Sequence, residues 1–138
     1  MGIIFIFPNK EFQMIQTWHD MIHHRDPSGL NELLAENVVL HSPVVHTLIE
    51  GKKMVSLYLH AAFHTFLNES FHYTREVASD NHHMLEFEVE IEGLYVNGVD
   101  MISFDDDGKI IDFKVMVRPL KALNLIHSNM GKMLEKLG

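Results

Sequence analysis

The stretch MLEFEVEIEGLYVNGVDMISFDDDGKIIDFKVMVR, from Met84 to Arg118, decides the fold. In its first third, alternate positions place four apolar residues on one face of an extended chain: Leu85, Phe87, Val89 and Ile91. The other face carries four glutamates: Glu86, Glu88, Glu90 and Glu92. A period of two is typical of a strand with one buried face. The stretch therefore predicts three consecutive antiparallel strands, the last of which ends before Pro119.

The run DDDG, Asp105 to Gly108, lies between the second and third of these strands. Aspartate hydrogen-bonds to its own backbone and glycine adopts positive φ, so the run favours a hairpin turn. The alternative is a calcium loop that begins at Ser103. Such a loop requires a glutamate at its twelfth position, which is Lys114 here, and it lies between helices. We therefore predict a turn and no metal site.

Helical patterns surround this sheet. Asn9 can cap a first helix that ends at Pro27, and a short second helix begins after Ser28. The segment NVVLHSP predicts a strand that stops at Pro43, and a third helix and the strand FHYTREVAS follow. A last helix after Pro119 has an apolar face. These elements predict one α+β domain over residues 1–138: a cone-shaped, curved antiparallel sheet wrapped around N-terminal helices, with an extra C-terminal helix.

The composition excludes several classes of function. A formal charge of −8 argues against a nucleic-acid partner, which requires clustered Lys and Arg. The apolar segment from Ile3 to Phe7 is too short to cross a membrane, and we expect it to form a short strand or a packing arm. The sequence has no cysteine, which excludes disulfides and thiol catalysis and is compatible with a cytoplasmic location.

Eleven histidines suggest a metal site, and two pairs have the spacing of two ligands on one helix: His19 with His23, and His60 with His64. Neither pair has the neighbouring glutamate of an HExxH motif. Tyr58, Ala62 and Phe66 occupy the predicted apolar face of the third helix, so His60 and His64 should point away from the core. We therefore expect no metal and no other cofactor.

Three segments in this order resemble the nuclear transport factor 2-like superfamily, in particular its SnoaL-like and ketosteroid-isomerase-like branch. They are RDPSGLNELLAENVVLHSP (residues 25–43), EGKKMVSLYL (residues 50–59) and VDMISFDDDGKI (residues 99–110). The resemblance implies a cone whose concave sheet and helices enclose an apolar pocket for a hydrophobic small molecule. The residues expected to line it are Trp18, Leu40, Ser42, Tyr58, Leu59, Ala62, Ile102, Phe104, Phe113, Val115 and Val117.

The resemblance also implies catalytic positions, of which this sequence keeps one. In the isomerases a tyrosine and a protonated aspartic acid form the oxyanion hole, and a second aspartate is the base. Asp100 matches the oxyanion-hole acid, whereas the base position holds Ser42 and the tyrosine position holds Trp18. Alternation alone leaves the facing of Asp100 open, and the resemblance implies that it points inward. His46, after the Pro43 bend, is the candidate replacement base.

Two functions follow from this pattern. The first is a metal-independent isomerase, cyclase or hydrolase in which Asp100 is the acid or base, or a hydrogen-bond donor. The alternative is a ligand-binding or dimerising protein that keeps the fold without the chemistry. The resemblance further implies a homodimer. Its interface would be the convex face of the sheet, where methionines and charged side chains mix: Met101, Lys114, Met116 and Arg118.

Overall fold

The computed structural model describes residues 10–138, with side chains from Ile15 onward. The segment Ile3–Phe7 and the expected helix cap at Asn9 lie outside the described residues. The helices are α1 (Lys10–His24), α2 (Leu30–Leu33), α3 (Lys52–Phe66) and α4 (Leu120–Leu137). The strands are β1 (Leu34–His41), β2 (Ile49–Glu50), β3 (His72–Ser79), β4 (His82–Ile91), β5 (Leu94–Phe104) and β6 (Ile110–Arg118).

The six strands form one curved sheet that does not close, in the order β2-β1-β6-β5-β4-β3. Strands β3 to β6 form the antiparallel meander that the alternation predicts. Strand β1 pairs with β6 in parallel, because the chain passes through α3 and the meander before it returns beside β1. The predicted α+β class is confirmed, and the sheet contains this one parallel pair.

The core lies between the concave face of the sheet and the helices. The four apolar residues of β4 are all buried, as their alternation predicts: Leu85, Phe87, Val89 and Ile91. On α3 the residues Val55, Leu59 and Phe63, each one turn from the next, form a buried row. Tyr58, Ala62 and Phe66 lie beside this row and are only half-buried. This offset places the latter three next to open space, where the functional site is described below.

The hairpin between β5 and β6 is a turn, as predicted. The carboxylate of Asp105 accepts hydrogen bonds from the backbone N–H groups of Asp107 and Lys109, both at 2.9 Å, and Gly108 has φ of +78°. A bulge follows, so that Ile110 rather than Ile111 is buried in phase with Phe104. No group of three potential metal ligands occurs among the side chains of residues 15–138.

Helix α4 packs mainly against α3 and buries Ala122 and Ile126. None of the described helices is both long and apolar enough to cross a membrane.

Candidate functional site

Strand β5 directs Asp100 into the core. Alternate residues of this strand are all buried, and they place Asp100 between Gly98 and Ile102 on the concave face. Only 7% of Asp100 is exposed. A Cβ atom at Gly98 would overlap the ring of Phe87 and lie 2.6 Å from the Met116 carbonyl oxygen. The ring of Phe87 therefore occupies the space that a side chain at position 98 would need, next to Asp100.

Two hydrogen bonds connect Asp100 to helix α1 through Tyr73 on β3. The Tyr73 hydroxyl donates to Oδ2 of Asp100 at 2.7 Å. The indole N–H of Trp18 in turn donates to the Tyr73 oxygen at 3.0 Å. Among the described residues, Oδ1 of Asp100 has no hydrogen-bond partner. The relay thus fixes one carboxyl oxygen and leaves the other for a bound molecule.

Burial changes the ionisation of both groups. Removal from water raises the pKa of Asp100 from 3.8 to about 7, although the hydrogen bond from Tyr73 lowers it in part. Burial and the neighbouring Asp100 raise the pKa of Tyr73 well above its usual value of 10.0. At neutral pH the phenol therefore keeps its proton, while Asp100 exists in both forms.

Asp100 lines a small cavity between α1, α3 and the sheet, which we call the inner cavity. Its volume is about 50 Å³, and half of the residues that line it are aromatic: Trp18, Phe63, Phe66, Phe71, Phe87 and Phe113. Trp18 meets Phe63 and Phe113 edge to face, with centroids 5.6 and 5.2 Å apart. Among the described residues that line it, Asp100 is the one titratable group. The cavity suits an apolar group that carries one hydrogen-bonding atom.

A second space of about 170 Å³, the outer chamber, lies between α3, α4 and the segment that follows β1. Its wall from α4 is formed by Ile126, His127, Met130, Gly131 and Leu134. Four residues line both spaces: Leu59, Ala62, Phe66 and Val115. The two spaces are therefore neighbours.

The sequence profile of the SnoaL-like domain matches residues 15–113. The chain belongs to the SnoaL-like family. The resemblance carried by the three sequence motifs is confirmed. No curated protein matches this SnoaL-like chain significantly.

Several solved structures share the fold of this SnoaL-like protein. A steroid delta-isomerase from Pseudomonas aeruginosa is 38% identical, with a TM-score of 0.87, and the match covers 92% of this chain and 93% of that one. An uncharacterised protein with a cystatin-like fold from Silicibacter pomeroyi is 27% identical, with a TM-score of 0.82 and coverage of 92% and 89%. A SnoaL-like polyketide cyclase from Jannaschia is 10% identical, with a TM-score of 0.68 and coverage of 91% and 97%, and shows the fold alone.

The residues expected in one pocket separate into several places in this SnoaL-like protein. Trp18 and Phe113 line the inner cavity, whereas Leu40, Ser42 and Tyr58 line the outer chamber. Leu59, Ala62 and Val115 line both spaces, and the remaining three expected residues line neither. Ile102 and Phe104 are packed in the core, because the helices cover their end of the sheet, and Val117 borders a groove that also includes Met116 and Arg118.

The structure does not bring a replacement base to Asp100. His46 is exposed in the loop between β1 and β2 and lines neither space. The Ser42 oxygen accepts a hydrogen bond from the backbone N–H of Val44 at 3.2 Å and faces the outer chamber. The expectation that His46 replaces the missing base therefore has no geometric support.

In each of the two histidine pairs, one histidine contacts another residue of the chain. His60 hydrogen-bonds through Nδ1 to the carbonyl oxygen of Ser56 at 2.8 Å, within its own helix. His19 lies 2.7 Å from a carboxylate oxygen of Glu76 on β3.

Sequence reasoning missed Tyr73. The sequence gives only a weak indication of this residue. Phe71 and Tyr73 are aromatic residues two positions apart at the start of a strand, and this spacing places them on one face. A register shift between Tyr73 and Arg75 interrupts the alternation of β3. The hydroxyl that the resemblance expects on α1 is therefore supplied by β3, while α1 supplies the indole N–H that supports it.

The first prediction concerns pH and stability. The unfolded chain releases the Asp100 proton near pH 3.8, whereas the folded chain holds it until about pH 7. The folded state therefore binds more protons between these values, and stability falls as pH rises through this window. Relative to Asp100→Asn, the wild-type free energy of unfolding should decrease by up to ~4 kcal/mol between pH 4 and pH 8.

Urea denaturation of both proteins at pH 4, 5.5 and 8 measures this difference. Asp106→Asn, the same change in the exposed turn, should show no comparable trend. A constant difference between wild type and Asp100→Asn at all three pH values would contradict the account.

Proposed function

We propose that this protein is a metal-independent enzyme of the isomerase or cyclase type that acts on a hydrophobic small molecule, with Asp100 as the group that moves the proton. The observation that carries the proposal is a carboxyl with a pKa of about 7 in the wall of an aromatic cavity. A group that titrates near neutral pH is suited to both donating and accepting a proton. The similarity to a steroid delta-isomerase at 38% identity supports the same class.

The geometry favours a mechanism in which one carboxyl does both transfers. Tyr73 holds Oδ2 of Asp100, so Oδ1 faces the ligand. As a carboxylate, Asp100 removes a proton from the carbon next to a carbonyl group, and the C–H electron pair moves into the resulting enolate. The protonated Asp100 then returns the same proton to a different carbon of the conjugated system. Proton and electrons balance, and the double bond has moved.

A second candidate is a protein that binds such a ligand without converting it. The observation in its favour is Ser42, which occupies the expected base position and lines the outer chamber, away from Asp100. A lone carboxyl can hold a carbonyl group by a hydrogen bond without any proton transfer to carbon. The two functions share the inner cavity and differ in turnover.

The second prediction separates them with a β,γ-unsaturated ketosteroid, whose conversion to the conjugated enone is followed by ultraviolet absorbance. Wild type should convert it, and activity should rise as pH increases through about 7, because the base is the ionised form. The activity of Asp100→Asn should be at least about 100-fold lower than that of wild type. Tyr73→Phe removes the hydrogen bond that lowers the pKa of Asp100. In this variant the increase in activity with pH should therefore occur at higher pH than in wild type.

Asp106→Asn is the matched control and should retain wild-type activity. Binding of the ketone without conversion would establish the second candidate instead. Conversion that is equal in wild type and Asp100→Asn would contradict both the mechanism and the role of Asp100.

We also propose that a second copy of the chain binds the convex face of the sheet. The register aligns Val77, Met84 and Met101 across three strands. Val77, Met84 and Met116 on this face are 67%, 52% and 51% exposed. The charged pair of Arg75 and Glu86 lies among them. Apolar side chains surrounded by charged ones are typical of an interface between subunits.

The third prediction tests this dimer by sedimentation equilibrium. The wild type should have twice the 16.0 kDa mass of one chain. Met116→Glu should reduce the measured mass to that of one chain, because the new charge would be buried in the interface. Met54→Glu, at a position on α3 with 44% exposure, should leave the dimer intact. A wild type that sediments as one chain would refute the proposal.

A further inference from the structure

Helix α4 follows the residues that the SnoaL-like profile matches. The SnoaL-like match ends at residue 113, and α4 begins at Leu120. The helix nevertheless forms one wall of the outer chamber, through Met130, Gly131 and Leu134. The chamber therefore depends on the position of α4.

The inner cavity is too small to hold a whole ligand. Pockets for drug-sized molecules have volumes of roughly 300–1,000 Å³, whereas the inner cavity measures about 50 Å³. It can take the end of a molecule that meets Asp100, and the rest must lie elsewhere. The outer chamber, of about 170 Å³, is adjacent and shares Leu59, Ala62, Phe66 and Val115 with the inner cavity.

The chemistry of the outer chamber identifies what it can take. None of the described residues that line it is Lys, Arg, Asp or Glu. Its polar groups are few and include Ser42, Tyr58 and His127. Val45 lines it and is 41% exposed, which gives an apolar entry from solvent. An uncharged hydrocarbon chain is the group that such walls stabilise by burial.

We propose that the outer chamber binds the hydrocarbon tail of the ligand, so that the ligand is an elongated molecule with a carbonyl group at one end and an apolar tail of several carbons. This inference rests on the proposed function of the inner cavity. The carbonyl end meets Asp100, and the tail passes Phe66 and Ala62 to lie against α4. The chamber lies between α3, α4 and the segment after β1, which leaves room for a chain of methylene groups rather than for a folded partner.

The fourth prediction uses straight-chain 2-alkanones from four to twelve carbons as probes. Trp18 is the one tryptophan of the sequence and lines the inner cavity, so quenching of its fluorescence reports binding of the carbonyl end. Affinity should rise by roughly fourfold for each methylene group that enters the outer chamber. The rise should stop once the chamber is full.

Gly131→Leu tests whether the tail lies against α4. A Cβ atom at Gly131 meets no atom within 4 Å, so the larger side chain has space, and leucine favours the helix more than glycine does. We expect Gly131→Leu to bind 2-decanone at least about tenfold more weakly and 2-butanone as well as wild type does. Ser128→Leu introduces the same side chain at an exposed position of α4 outside the chamber, and should behave as wild type.

The outcomes separate the two proposals. If 2-butanone binds to wild type more tightly than to Asp100→Asn but chain length adds nothing, the tail site is overturned and the proposed function stands. A length dependence that is equal in wild type and Gly131→Leu also overturns the tail site. If binding of every ketone is unaffected by Asp100→Asn, the proposed function itself fails.

Discussion

The hydrogen bond from Tyr73 to the buried carboxyl of Asp100 is the constraint on which the rest of the site depends. A carboxylate in an apolar wall lacks the solvation that it has in water, so burial favours the neutral acid. The phenol partly offsets this by stabilising the charged form. Together these two effects place the pKa of Asp100 at about 7. The indole N–H of Trp18 in turn fixes the phenol of Tyr73.

The fold brings these groups together from three distant parts of the chain. Trp18 comes from the first helix, Tyr73 from the edge strand β3, and Asp100 from β5 in the middle of the meander. Aromatic rings pack around them and leave a small cavity. The SnoaL-like part of the chain thus supplies the polar group, and α4, which follows it, supplies additional apolar wall.

The sequence predicts well those features that depend on a local pattern of residues. The inward row of β4, the Asp105 turn and the amphipathic α4 are all of this kind, and each has the predicted form. Long-range contacts are different in nature. Tyr73 meets Asp100 across 27 residues and Trp18 across 55, so no local pattern encodes either bond.

The same reason explains why the expected single pocket is divided. Ile102 and Phe104 alternate in phase with Asp100, so their facing follows from the sequence. Their place in the packed core depends on how the helices cover the sheet. The outer chamber likewise requires the position of α4 against α3, which amphipathicity alone leaves open. Bulges in β3 and between β5 and β6 shift the register further.

The proposed chemistry requires that Asp100 titrates near neutral pH in the folded chain. Carbon-13 NMR of the aspartate side-chain carboxyl carbons, assigned by comparison with Asp100→Asn, measures this pKa directly. We expect a midpoint of about 7 for Asp100. A midpoint near 3.8, the ordinary value for an aspartate, would contradict it.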